Sequence, residues 1–225
     1  MKPWVHLASA EAPDGDTLRL LRRGDEFSIQ IARGNELMNS RLGGSEEALA
    51  DLSLDRLAER PPAHILVGGL GMGFTLRAVL GRLGPAGRVT VSEIVPELAG
   101  WARREMADVF GDCLDDPRVE IRLGDVAAHI REAGASYDAI LLDVDNGPDG
   151  LTREGNDALY TPAGLSAAKN ALRPGGILAV WSAAMDDGFT RRMRAAGFKT
   201  EVEKVHAGRS KRGPKHVIWI GTRTA

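Results

Sequence analysis

A buried strand that runs into a glycine-rich turn and then a helix leaves a chain few folds to choose from, and residues 64–75, HILVGGLGMGFT, have that form. The apolar run Ile65-Leu66-Val67 stops at Gly68-Gly69, and Gly71 and Gly73 follow at alternate positions. A helical pattern then carries Leu76, Val79, Leu80 and Leu83 on one side. Glycines suit the turn because the backbone bends tightly there and a ligand can approach it without a Cβ in the way. Twenty residues past Gly73 a second strand, Arg88 to Ser92, ends in Glu93. An acid at that strand tip can accept hydrogen bonds from both hydroxyls of a ribose. Strand, glycine turn, helix, strand and acid together describe a nucleoside-binding half-fold.

Composition sets the outer limits. The chain has 225 residues, enough for one full α/β domain with a small appendage. A net charge of -2 with interspersed signs argues against a general nucleic-acid or membrane-surface binder. The single cysteine, Cys113, excludes an internal disulfide, and the five histidines share no metal-ligand spacing with it or with one another. No metal is expected. No signal peptide and no membrane-length apolar run is present, so a cytoplasmic protein is expected.

In chain order, residues 1–34 read as a β-hairpin, with Thr17–Leu21 and Phe27–Ile31 flanking a turn at Gly24. Residues 35–44 read as an irregular connection, and Ser45 as the N-cap of a helix with Glu46 and Glu47 in its first turn, where they suit the helix dipole. Pro61-Pro62 then divides a hairpin-and-helix appendage (1–62) from a Rossmann-like domain (63–225). Strands and helices alternate from Ala63 onward, and the strands are nearly continuous apolar runs, which indicates a parallel sheet covered on both faces. The last two strands, 199–205 and 216–220, are joined by a connection too short for a parallel crossover and must pair antiparallel. The expected fold is α/β, a Rossmann-like seven-stranded class I methyltransferase sheet with a small N-terminal β appendage.

Ligands of open α/β sheets bind beyond the carboxyl ends of the strands. The residues there are Gly69, Leu70, Gly71 and Gly73 from the first turn, Glu93 and Ile94 from the second, Asp125 and Val126 from the third, and Asp143, Asp145 and Asn146 from the fourth. Asp125 suits an adenine amino group, although it also reads as a helix N-cap. Tyr160, after the acidic loop, is assigned to a substrate lid, and Trp101, Trp181 and Trp219 to the core or an interface. The loop from Arg209 to Lys215 holds four basic residues and reads as a solvated hairpin tip, so nucleic acid is not an expected partner. A dinucleotide fingerprint would place its third glycine where Phe74 stands, whereas the G-x-G-x-G spacing is similar to that of S-adenosylmethionine-dependent transferases.

GGLGMGFTLR also resembles the cofactor loop of spermidine synthases. Residues 116–125 are similar to their third-strand segment, Tyr137 to Asp143 to their catalytic strand, and Leu172-Arg173-Pro174-Gly175-Gly176 to the turn before their fifth strand. The resemblance covers about residues 63–182, and the N-terminal β ribbon is similar to theirs, though shorter. It implies that Glu93 holds the ribose, Asp125 the adenine, and that the catalytic residue Asp143 faces the reacting amine. Three departures stand out: Met72 replaces an acid in the loop, Asn146-Gly147 replaces Asp-Pro after the catalytic strand, and residues 36–45 lack the aromatic and histidine residues of the amine channel. Fewer acids mean less attraction for a polyamine. The expectation drawn is therefore methyl transfer from S-adenosylmethionine to a small molecule. The alternatives are aminopropyl transfer to putrescine from decarboxylated S-adenosylmethionine, and a non-catalytic nucleoside-binding protein. A homodimer is expected as well, because Leu18, Leu20, Phe27, Ile29 and Ile31 exceed what a two-stranded ribbon can bury alone.

Overall fold

The computed structural model describes residues 2–31, 34–57, 63–144, 158–210 and 213–224. Its centre is a seven-stranded sheet built from β5 (His64–Gly68), β6 (Arg88–Glu93), β7 (Val119–Leu123), β8 (Tyr137–Leu142), β9 (Leu172–Ser182), β10 (Phe198–His206) and β11 (Lys215–Arg223). The order is β10-β11-β9-β8-β5-β6-β7, and β11 alone runs against the rest. The closing hairpin expected from the short connection is therefore present. Pairing outward from β5 to β6 on one side and to β8 on the other creates a switch point at the carboxyl edge, where a crevice must open.

Both faces of this sheet are buried, and the side chains alternate between them. Ile65, Val67, Ala139, Leu141, Ile177 and Ala179 enter one core, while Leu66, Ile140, Leu142, Leu178, Val180 and Trp219 enter the other. Helices α1 (Gly44–Arg56), α2 (Phe74–Arg82), α3 (Pro96–Arg103), α4 (Ala107–Phe110), α5 (Val126–Glu132), α6 (Pro162–Ala171) and α7 (Asp187–Ala195) cover them. Between β6 and β7 the helical stretch is broken into α3 and α4, with residues 104–106 between them. Helix α7 escaped the sequence reading, although Phe189 and Met193 stand one turn apart on its buried face. Trp101, Trp181 and Trp219 are buried as expected.

The N-terminal region departs most from expectation. It is a four-stranded antiparallel sheet, β1 (Val5–Glu11), β2 (Thr17–Arg23), β3 (Glu26–Ile31) and β4 (Glu36–Asn39), not a two-stranded ribbon. β4 occupies the segment read as irregular. Its polar residues hold it in place: Glu36 accepts from Ser28 and Asn39, and Asn39 in turn accepts from the Arg41 and Leu42 amides. Leu18, Leu20, Phe27 and Ile29 are almost fully buried within the core that also contains Ile65, Val67 and Leu76. The apolar face meant to seek a second subunit is thus satisfied inside the chain, and the homodimer expectation loses that ground. Ser45 is not an N-cap but the second residue of α1, with Gly43 at the cap. Among the described residues no helix is long and apolar enough to cross a membrane.

Packing of the N-terminal sheet into the main core carries a stability consequence. Leu20→Ala should destabilise the whole chain by ~2–5 kcal/mol, the usual effect of emptying a fully buried leucine site. Chemical denaturation followed by tryptophan fluorescence should then show one cooperative transition moved to lower denaturant. A separate early transition, with the main one unmoved, would mean that the sheet folds on its own.

Candidate active site

The glycine turn is held open by crowding. Gly69 has φ +90°, and a Cβ there would collide with the Asp143 carbonyl, while the Asp143 amide donates to Gly68 O at 3.0 Å. The ends of β5 and β8 therefore touch with no room for a side chain between them. Gly71 has φ +51° and faces Met38 of β4. Glu93, buried at the tip of β6, accepts from the Leu70 amide at 3.0 Å and from the Val95 amide at 2.8 Å. Its carboxylate ties the two turns together and lines the crevice between them.

That crevice is lined by Gly69, Gly71, Glu93, Ile94, Asp125, Val126 and Asp143, seven of the residues singled out from sequence. Asp125 serves both readings, since it lines the cleft and caps α5 by accepting from the Ala127 amide at 2.8 Å. Leu70 and Gly73 do not line it. Leu70 is buried and contributes its amide to Glu93, and Gly73 caps α2 with φ +72° against the Phe110 ring. Tyr160 is not a lid residue at the cleft: it is buried in the opposite core, edge-on to Phe189 with ring centroids 5.5 Å apart. Asp145 and Asn146 lie outside the described residues, as do Pro61 and Pro62.

Beyond Gly71 and Asp143 the cleft continues into a second chamber, walled by Leu37, Met38, Asn39, Met72, Phe74 and Trp181 and reached by Glu46. Sequence reasoning placed Glu46 at the helix dipole and missed it as a site residue. The signal was present, because Glu46 precedes the buried Leu49, Ala50 and Ser53 by three, four and seven residues and so shares their inward face. Thr75 was missed too. Its hydroxyl lies 2.7 Å from Asp143 Oδ2 and 3.3 Å from the Glu46 carbonyl, so it bridges the two acids' segments.

The electrostatics of the two chambers are one-sided. Their described walls contain Glu46, Glu93, Asp125 and Asp143, and no lysine, arginine or histidine. Burial pushes the Asp143 carboxyl up to about 6, against the pull of the Thr75 hydrogen bond. Burial pushes Glu46 up to about 7, with the Asp143 charge adding to the rise and the Ser45 hydroxyl opposing it. Near neutral pH the pair is poised between charge states, as a cation receptor and proton acceptor would be. Among the described walls a phosphate would find no cationic partner, whereas a sulfonium or an ammonium would find acids.

Residues 45–186 match the spermine/spermidine synthase domain. The chain belongs to this family. Polyamine aminopropyltransferase 2 of Pseudomonas aeruginosa is 33% identical over 181 residues, covering 79% of this chain and 46% of the relative. A polyamine aminopropyltransferase 2 of Hyperthermus butylicus is 35% identical over 122 residues, covering 53% of this chain and 38% of the relative. The chain thus spans about half or less of the length of these curated relatives. The crystal structure of spermidine synthase from Thermotoga maritima superposes with a TM-score of 0.76 at 20% identity, covering 97% of this chain and 72% of that one. The spermidine synthase fold, itself of the class I S-adenosylmethionine-dependent methyltransferase type, is therefore the fold of this chain, with its separate N-terminal sheet. The expectation of methyl transfer is overturned, because these relatives are named as polyamine aminopropyltransferases. Its physical premise was a shortage of acids, and that premise counted only the glycine loop and the strand tips, leaving out Glu46 on α1.

The raised carboxyls predict a pH-dependent stability. Glu46 and Asp143 start from 4.5 and 3.8 and end near 7 and 6 in the folded chain. A raised carboxyl binds its proton more tightly when folded, so its stabilising effect is complete below its unfolded value and is lost as pH rises through its folded value. Melting temperatures measured from pH 4 to 8 should therefore fall through this window relative to those of Glu46→Gln. Parallel curves for the two proteins would show that Glu46 titrates normally.

Proposed function

We propose that this chain is an aminopropyltransferase that takes decarboxylated S-adenosylmethionine in the glycine-loop cleft and a small cationic amine in the adjoining chamber. The observation that carries this reading is that the charged side chains in the described walls of the two adjoining chambers are all acids. The decarboxylated donor carries a sulfonium and an ammonium and no carboxylate, and the acceptor is a cation at neutral pH. An undecarboxylated donor would bring a carboxylate with no basic side chain to meet it among the described walls.

On this reading Gly69 and Gly71 let the nucleoside approach the backbone, Glu93 accepts from the ribose hydroxyls, and Asp125 accepts from the adenine amino group. Leu70 and Gly73 shape the loop without touching the ligand. Ile94 and Val126 pack on the base. The N-terminal sheet and α1, within 1–62, form a cap over the transferase domain of 63–225, and Leu37 and Met38 of β4 close the cleft from that side. Asp143 and Glu46 hold the acceptor ammonium, and Asp143 takes one proton to free a lone pair. The amine nitrogen then bonds to the propyl carbon, the carbon–sulfur bond breaks, and the adenosyl thioether leaves uncharged. The protein contributes chiefly alignment of nucleophile, carbon and sulfur, together with charge stabilisation.

The test supplies each donor separately with putrescine and with longer polyamines, and follows products by mass spectrometry. Aminopropylated amine and methylthioadenosine should appear with the decarboxylated donor. Asp143→Asn should lower kcat at least about a hundredfold, the lower end of what a positioned proton acceptor supplies. Methylated amine from S-adenosylmethionine, or no aminopropylated product with any amine, would overturn the reading.

A further inference from the structure

Behind Glu46 runs a line of polar groups that the chemistry above does not use. The Ser45 hydroxyl donates to Glu46 Oε2 at 2.6 Å, and Ser45 Oγ lies 2.9 Å from Nδ1 of His216, 171 residues further along the chain on β11. Ser45 is fully buried and His216 half-buried. The His216 ring also meets the Trp181 indole edge-on, with centroids 4.7 Å apart, and Trp181 is part of the chamber wall. A hydroxyl has one proton to give. While Glu46 is ionised, the Ser45 proton is committed to the carboxylate, so His216 must be the donor at Nδ1 and its tautomer is fixed.

Two further contacts dock the start of α1 on the β10–β11 hairpin. The Gly44 amide donates to Ala207 O at 2.9 Å, and a Cβ on Gly44 would run into the Gly208 backbone. Arg209 clasps Glu47 with two hydrogen bonds, at 2.6 and 3.1 Å. The first turn of α1 is thus aligned by the hairpin and not by a cap of its own, for its N-cap makes no side-chain bond.

We propose that His216 is a positioning residue for the amine-binding carboxylate: through the Ser45 hydroxyl it holds the Glu46 side chain against the chamber wall. This rests on the acceptor role given to Glu46 above. Among the described residues, the charged and titratable groups around Glu46 are Asp143 at the end of β8, Glu47 in α1 with its partner Arg209, and His216 behind Ser45. Burial holds the His216 ring below the ordinary histidine range, so it stays neutral near pH 7 and donates without adding a charge. Donation from Ser45 favours the ionised form of Glu46 and opposes the effect of burial. Loosening that donation should raise the Glu46 midpoint.

The test reads the Glu46 carboxyl directly, by carbon NMR of protein labelled at the glutamate carboxyls, with the resonance assigned through Glu46→Gln. His216→Leu should move the Glu46 midpoint up by roughly half to one pH unit, the equivalent of one ordinary hydrogen bond. The amine KM should rise about three- to tenfold in the same variant, with donor affinity unchanged. His216→Asn, whose amide can donate to Ser45, should restore most of both. Ser45→Ala gives a second route to the same upward shift should the leucine variant fail to fold. An unmoved Glu46 midpoint in the folded His216→Leu or Ser45→Ala protein, or equal losses in His216→Leu and His216→Asn, would overturn the proposal. Because the titration needs no substrate, it decides this proposal even if the wild-type chain transfers no aminopropyl group, an outcome that would sink only the acceptor reading.

Discussion

Two carboxyls taken from water and set beside one chamber cannot both ionise cheaply, and this constraint organises the candidate site. Asp143 is fixed by the sheet: its amide is bound to Gly68 and its carbonyl fills the place of a Gly69 side chain. Glu46 reaches the same chamber from a different element, on a helix docked against the closing hairpin. Neither has a basic partner among the described chamber walls, so their charge is unfavourable until a cation arrives. A pair arranged in this way does little for stability. On the proposed reading it receives an ammonium and the proton that the ammonium must lose.

The main sheet was legible because each of its signals is local and repeated. Apolar runs of five or six residues such as His64–Gly68 and Tyr137–Leu142 have no stable place except between two covered faces. The topology then delivers Gly69, Glu93, Asp125 and Asp143 to one rim, which is why their convergence followed from chain order alone. Asp125 caps α5 and also lines the cleft, so being a helix cap does not remove an acid from the rim.

Less was legible where tertiary contacts override local pattern. β4 is four residues long, with Glu36 and Asn39 satisfied by a network that no window of sequence reveals. Without β4 the N-terminal sheet looked like a bare ribbon in need of a second subunit, whereas Leu20 and Ile29 are buried within the chain. Tyr160 follows the acidic loop in sequence but turns into the core beneath the sheet against Phe189. Glu46 was hidden by a sufficient alternative, since an acid in the first turn of a helix already has a reason to be there. Its helical register with Leu49, Ala50 and Ser53 was the evidence that it points inward.

On the proposed reading Glu46 and Asp143 together receive a cation, and the carboxyl pair gives up a proton when the cation binds. Calorimetric titration of putrescine into protein saturated with methylthioadenosine, which has no group to transfer, at pH 7 and in buffers of different ionisation enthalpy, counts the protons exchanged. An ammonium placed beside raised carboxyls lowers their proton affinity, so net proton release is expected. That release should be largely lost in Glu46→Gln. Binding with no protons exchanged, or with the same number released by both proteins, would contradict the account.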